Sequence, residues 1–160
     1  MITLVQRVQK AHVTVDGAVV GAIAAGLLLF VGVEAGDTEA DADATAKKVA
    51  ALRVFPGRTP TDLSVVDTKG SCLVVSQFTL AAELRHGNRP DFTAAAPPAL
   101  ADALYRRVAE QLTAAGIQVA TGRFGASMLV ELSNDGPFSL VVTVRGGKVV
   151  PRPEAGTPAS

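Results

Sequence analysis

The stretch at positions 27–33, Leu-Leu-Leu-Phe-Val-Gly-Val, restricts the fold more than any other part of this chain. A strand with one solvated face alternates apolar and polar residues. This one has no polar residue, so other parts of the chain must cover both of its faces. The surrounding run at 18–33 has no charge, yet it is shorter than the ~20 residues a membrane-spanning helix needs. Gly21, Gly26 and Gly32 interrupt it, and the hairpin signal Asp16-Gly17 precedes it in place of a basic leader. The reading is buried strand in a soluble, cytoplasmic protein.

The flanking sequence supplies the partners such a strand requires. Positions 1–15 hold two β-rich stretches, with alternation clearest in His12-Val13-Thr14-Val15, and Asp16-Gly17 predicts a tight turn into a strand at 18–23. A helix is predicted over 37–52, with Asp37 and Thr38 as N-caps, acidic residues in its early turns, and Lys47 and Lys48 toward its negative end. Positions 56–60 read as a loop and 73–80 as a second central strand. Pro97-Pro98 opens a second helix that Gly116 stops, and Leu100, Leu104, Val108 and Leu112 form its apolar stripe. Strands are predicted at 117–120, 128–132, 138–144 and 148–150. Positions 151–160 have no apolar anchor and are expected to be disordered. With 160 residues and no repeat or linker, the expectation is a single compact α/β domain over 1–150, its sheet mostly antiparallel, with two helices.

Composition and motifs exclude several kinds of chemistry. Lys plus Arg and Asp plus Glu both number 15, so no global field advertises nucleic acid, although a local basic patch stays open. Cys72 is the single cysteine, which rules out an intrachain disulfide and a cysteine zinc cage; its apolar neighbours make it a small buried hydrophobe. There is no Gly-x-Ser-x-Gly elbow, no P-loop and no Gly-x-Gly-x-x-Gly. The only histidines are His12, in a strand pattern, and His86, in the turn-rich run Arg85-His86-Gly87-Asn88-Arg89-Pro90. His86 is either a base for Ser76 or Thr79 or a solvated loop residue. No metal or cofactor is expected.

Two segments carry more polar detail than packing requires. Ser76-Gln77-Phe78-Thr79-Leu80 ends an apolar strand with three hydrogen-bonding side chains around one aromatic. Asn134-Asp135-Gly136-Pro137 separates two strand patterns, either as a hairpin turn or as a cis Gly-Pro element that reverses the chain locally and turns backbone carbonyls into a pocket.

Together, in this order, these segments resemble the D-aminoacyl-tRNA deacylase family, with its Ser-Gln-Phe-Thr-Leu and Asn-x-Gly-Pro motifs. The resemblance covers about 1–144 and includes Arg53-Val54-Phe55, Arg89-Pro90-Asp91-Phe92-Thr93, Ala96-Pro97-Pro98 and the stretch from Thr121 to Met128. Three departures stand out. Thr59-Pro60-Thr61-Asp62 replaces a usual lysine-bearing stretch, Ser139 a usual threonine, and Phe138 a usual small β-branched residue.

The resemblance implies a barrel-like core in a cytoplasmic homodimer that hydrolyses D-aminoacyl-tRNA, and glycine mischarged on alanine tRNA. It needs neither cofactor nor metal and has no DNA or membrane partner. Gln77 and Phe78 would form the oxyanion and positioning wall through main-chain groups, with Ser76 and Thr79 holding substrate or backbone. Thr79 as a covalent nucleophile is the rival, and no base stands beside it in sequence to activate it. Gly136 and Pro137 of one subunit would enter the other's pocket and reject L side chains. Asn134 and Met128 would support them, and Arg53, Arg58, Arg85 and Arg89 would meet the tRNA acceptor end. Functions left open are a non-catalytic tRNA-end binding module, a relaxed hydrolase of L-aminoacyl-tRNA, and a dimer in which the Gly-Pro turn is only a hairpin.

Overall fold

The computed structural model of the chain describes residues 1–151. The terminal segment 152–160, for which disorder is expected, lies outside the described residues. Seven strands and two helices follow in the order β1 (Ile2–Val15), β2 (Ala18–Ile23), β3 (Gly26–Gly32), α1 (Glu39–Ala51), β4 (Ser71–Ser76), α2 (Pro98–Ala114), β5 (Gln118–Thr121), β6 (Leu129–Arg145) and β7 (Lys148–Val149). They form one sheet in the order β5-β4-β3-β1-β6-β7, with β2 also paired to β1. The β1–β2, β1–β3, β1–β6 and β6–β7 pairs are antiparallel, as expected for most of the sheet. The β3–β4 and β4–β5 pairs are parallel, because α1 and α2 carry the chain back between those strands.

The apolar run in β3 is covered on both faces. Leu27, Leu29 and Val31 pack with Cys72 and Val74 of β4 and with the helices, while Leu28, Leu73 and Val75 face a second core. That second core is closed by β1 itself. Met1, just before β1, and Val5 in its first half face the helices; in the second half, Ala11, Val13 and Val15 face the other side of β3 and β4. A register shift between Val8 and Lys10 makes this exchange, since one extra residue reverses the parity of a strand. The sheet thereby curls into a half-barrel. Where β2 crosses β5, a Cβ on Gly21 would stand 2.3 Å from the Thr121 carbonyl oxygen, so only glycine fits there.

Most elements lie where the sequence places them, with three differences. The two β-rich stretches of 1–15 are one strand. Leu73-to-Leu80 does not run extended to its end; β4 stops at Ser76 and Phe78–Ala81 tightens into a 3-10 turn. Asn134 to Pro137 is not a hairpin turn, because β6 runs through it and both halves pair with β1. At Asp16-Gly17 the turn forms as expected, with positive φ at both residues.

Of the two predicted caps of α1, Thr38 takes the N-cap position, while Asp37 accepts from the buried Met1 ammonium at 2.7 Å. The buried Asp41 carboxylate accepts from the Thr38 amide and hydroxyl and, at 2.8 Å, from the Gly147 amide. Burial opposes its ionisation, but the Gly147 and Thr38 donors outweigh burial and hold the carboxyl below its ordinary value of 3.8. Asp41→Ala is therefore expected to lose about 2 kcal/mol in urea unfolding at pH 7. A depressed native pKa stabilises above the unfolded value, so the gap to wild type should narrow as pH falls through 3.8 and below.

Candidate active site

The end of β4 opens onto a cavity of about 520 Å3 between the sheet and the start of α2. Val31, Val75, Ala101, Tyr105, Phe124 and Val130 give it an apolar floor, and Ser76 and Gln77 are its polar edge. Met128 and Phe78 also line it, whereas Thr79 is exposed and lies outside the lining. Gly122 makes room for Met128, since a Cβ there would fall 2.7 Å from the thioether sulfur. Tyr105 is the one ionisable side chain in the lining, and its hydroxyl donates to the Val74 carbonyl at 3.1 Å. Burial raises its pKa, leaving a neutral wall group.

Polar chemistry at this edge comes from the backbone. The Gln77 amide donates to the Val31 carbonyl at 2.8 Å, and the Gln77 carbonyl accepts from Leu80. At the start of a 3-10 turn the next amides have no acceptor within the turn. Among the described residues, those of Phe78 and Thr79 make no hydrogen bond. Of the two main-chain N–H groups expected to face an oxyanion, that of Gln77 is thus committed to the sheet and that of Phe78 is free; the Thr79 amide, outside the cavity lining, is free as well. The Thr79 hydroxyl accepts from the Gln77 side-chain amide at 2.5 Å and has no histidine or carboxylate beside it.

Asn134 and the Gly-Pro pair sit elsewhere on the same chain, and the cavity lining contains neither Gly136 nor Pro137. The register jumps from Gln6↔Ser139 to Val8↔Asn134, so four residues of β6, 135–138, stand opposite Arg7 alone. Gly136-Pro137 is a cis peptide bond and both residues are exposed. Asn134 ties the base of this loop: its side-chain oxygen accepts from the Phe138 amide at 2.6 Å, and its nitrogen donates to Ser139 Oγ at 3.1 Å.

Arg7, which sequence reasoning passes over, braces the loop from below. Its guanidinium donates to the Asp135 carbonyl at 3.1 Å and the Val54 carbonyl at 2.5 Å, pairs with the Asp135 carboxylate, and lies 4.9 Å from the Phe138 ring centroid. A Cβ on Gly136 would meet Arg7 Nη2 at 2.9 Å, and its φ of +131° suits glycine alone. The signal in the sequence is an arginine at 7 that continues the alternation of the buried Thr3 and Val5. Phe138, a departure from the family pattern, thus packs beneath the Gly-Pro pair.

The four candidate arginines separate into two kinds. Arg53 is paired with Asp62, and Arg85 with Glu83. Hydrogen bonds from the Arg85 side chain and amide hold the half-buried Glu83 down to about 2. Arg58 and Arg89 are exposed and have no carboxylate partner among the described residues. The departure at 59–62 has a structural use, since Asp62 accepts from the Arg58 amide as well as from Arg53. His86 is exposed and outside the cavity lining, and His12 faces Glu131 at 2.7 Å on the sheet surface. Cys72 is buried and burial pushes its thiol up to about 12, the inert hydrophobe expected.

Residues 4–143 match the model of the family described as D-Tyr-tRNA(Tyr) deacylase. A D-aminoacyl-tRNA deacylase of Ruegeria pomeroyi is 55% identical over 141 residues, covering 88% of this chain and 97% of its own. One from Heliobacterium modesticaldum is 50% identical over 149 residues, covering 92% and 99%. Among solved structures, a c-Myc DNA unwinding element binding protein superposes with a TM-score of 0.85 at 35% identity, covering 91% of this chain and 99% of its own. A probable eukaryotic D-amino acid tRNA deacylase has a TM-score of 0.76, covering 88% and 97%; at 15% identity it shares the fold alone.

Replacing Arg7 tests the brace. Arg7→Met leaves the Val54 and Asp135 carbonyls without their donor and is expected to cost about 2–3 kcal/mol in urea unfolding. Arg7→Lys should recover less than half of that, because a point charge cannot span two carbonyls as a planar fork does. Equal stability of Arg7→Met and wild type would refute the role.

Proposed function

The chain belongs to the D-Tyr-tRNA(Tyr) deacylase family, and from that premise we propose that it hydrolyses D-aminoacyl-tRNA, releasing the free amino acid and tRNA. The observation that carries this reading is the cavity at Ser76-Gln77-Phe78, which pairs the free Phe78 amide with an apolar floor whose one ionisable side chain is the neutral Tyr105. Such a site lacks a strong nucleophile. An aminoacyl ester needs only a positioned water and stabilisation of the carbonyl oxygen as it becomes an oxyanion.

The free Phe78 amide is the donor for that oxyanion, with Ser76 and Gln77 positioning the ester. Water attacks the acyl carbon, the bond to the ribose oxygen breaks, and that oxygen leaves with a proton. The neighbouring 2′-hydroxyl of the terminal ribose is the group placed to orient water and relay the proton. Thr79 as a nucleophile is disfavoured, since its hydroxyl has no base partner.

Chirality is assigned to Gly136 and Pro137. Their distance from the cavity of their own chain, and their exposure, fit a role in the pocket of a second copy. The site is then a homodimer's, each pocket walled by the partner's Gly-Pro loop. An L side chain collides with that wall, a D side chain points away, and glycine has nothing to collide, so glycyl-tRNA of alanine type is also cleaved. Arg58 and Arg89 are the free cations for the acceptor end, and the cytoplasm is the compartment where that substrate occurs.

The test follows ester loss from D-tyrosyl-, L-tyrosyl- and glycyl-tRNA with wild type, Thr79→Ala and Pro137→Ala. Wild type is expected to remove the D and glycyl esters at least about 100-fold faster than the spontaneous rate, a modest demand on oxyanion stabilisation alone, and to leave the L ester at that rate. Thr79→Ala should keep the activity and Pro137→Ala should begin to cleave the L ester. No acceleration by a folded, tRNA-binding protein would instead make this a non-catalytic module. Cleavage of both tyrosyl esters by wild type would remove the chirality assignment.

A further inference from the structure

Seven aromatic rings occur in the chain, six Phe and one Tyr, and only Phe78 and Phe92 are exposed. They are not scattered. Their centroids lie 5.0 Å apart at 71°, an edge-to-face pair that leaves ring faces open to solvent. Phe78 is 57% and Phe92 37% exposed, and Phe78 is also part of the cavity lining, so the pair stands at the mouth.

The backbone holds this pair in place. Phe92 follows a clasp in which Glu83 and Asp91 exchange amide-to-carbonyl hydrogen bonds at 2.8 and 3.1 Å. Asp91 then accepts from the Thr93 amide, and the Phe92 carbonyl accepts from Ala95. The Glu83 carboxylate, held by Arg85 and by two amides, fixes the start of the same loop. Arg89, within that loop, and Arg123, beside the lining residues Phe124 and Gly125, are exposed arginines without a carboxylate partner among the described residues.

We propose that the Phe78–Phe92 pair is a stacking platform for the unpaired nucleobase preceding the 3′-terminal nucleoside of tRNA, with Arg89 and Arg123 meeting the adjoining phosphates. The proposal rests on the deacylase reading above. If the ester sits at Gln77 and Phe78, the terminal nucleoside occupies the cavity and the next base falls at its mouth. Two exposed aromatic rings, with an uncompensated cation in the loop that carries Phe92 and another next to the lining residue Phe124, suit a base and its phosphates, since any base offers a π-face and the cations lose no intramolecular partner.

Binding of uncharged RNA separates this proposal from the hydrolytic one. The probe is an acceptor-stem hairpin with an unpaired 3′ end carrying 2-aminopurine at the penultimate position, compared with a hairpin trimmed before its unpaired nucleotides. Wild type and Phe92→Trp are expected to quench 2-aminopurine fluorescence on binding. Phe92→Leu should abolish the quench and weaken the intact hairpin about ten-fold, with equal binding of the trimmed hairpin by Phe92→Leu and wild type. Thermal melting of each variant confirms folding. Quenching by Phe92→Leu, or an equal loss on both hairpins, would overturn the platform. So would dissociation of a dimer by Phe92→Leu without a selective loss on the intact hairpin, because a second copy would then cover the pair. A protein that quenches but never cleaves the D ester would fail the deacylase reading alone.

Discussion

The curl of β1 is the constraint on which the rest of the structure depends. Its first half faces the helices and its second half closes the opposite side of β3 and β4, so one strand serves both cores. The exchange occurs within Gln6 to Lys10, and β6, paired along the whole of β1, must accommodate the same bend. It does so by extruding residues 135–138 opposite Arg7. A demand of packing thereby places a Gly-Pro pair on the surface, tied by Asn134 and braced by Arg7. The loop lies beside the bend that closes the half-barrel, with the Arg7 guanidinium against it.

The cavity follows from the parallel part of the sheet. β4 is buried on both faces until Ser76, where the Gln77 amide makes its last bond to β3 and the chain tightens into a 3-10 turn. The tightening leaves the Phe78 and Thr79 amides without a partner, the first of them at an apolar cavity. In the proposed reaction an apolar, low-dielectric wall strengthens what the Phe78 amide offers to a developing oxyanion. No ionisable side chain there needs to be tuned.

Much of the fold was legible because it rests on burial. The run at 27–33 required two covered faces, Asp16-Gly17 specified its turn, and the four-residue spacing of α2 specified its stripe. What escaped reading depends on pairing between distant strands. The patterns on either side of Asn134 suggest two strands with a turn between them, since nothing local reveals that both pair with β1. The 3-10 turn escaped because Phe78 to Leu80 has strand propensity that tertiary context overrides. The motif residues Ser76, Gln77 and Phe78 were placed at the cavity, but the role of Arg7 is set by the register shift facing it. Likewise, only the structure separates Arg53 and Arg85, which are neutralised, from Arg58 and Arg89, which are not.

In the proposed dimer, one chain's Ser76-to-Thr79 segment works against another chain's Gly136-Pro137. Co-refolding Pro137→Ala protein with a large excess of Ala126→Trp protein, whose indole fills the cavity, tests it directly. Each remaining functional pocket would then be walled by an intact Gly-Pro loop from the excess partner. The account predicts that L-tyrosyl-tRNA cleavage per Pro137→Ala chain falls toward the spontaneous rate while D-tyrosyl-tRNA cleavage persists. L cleavage that stays constant at every ratio of the two proteins would place the filter within a single chain and contradict it.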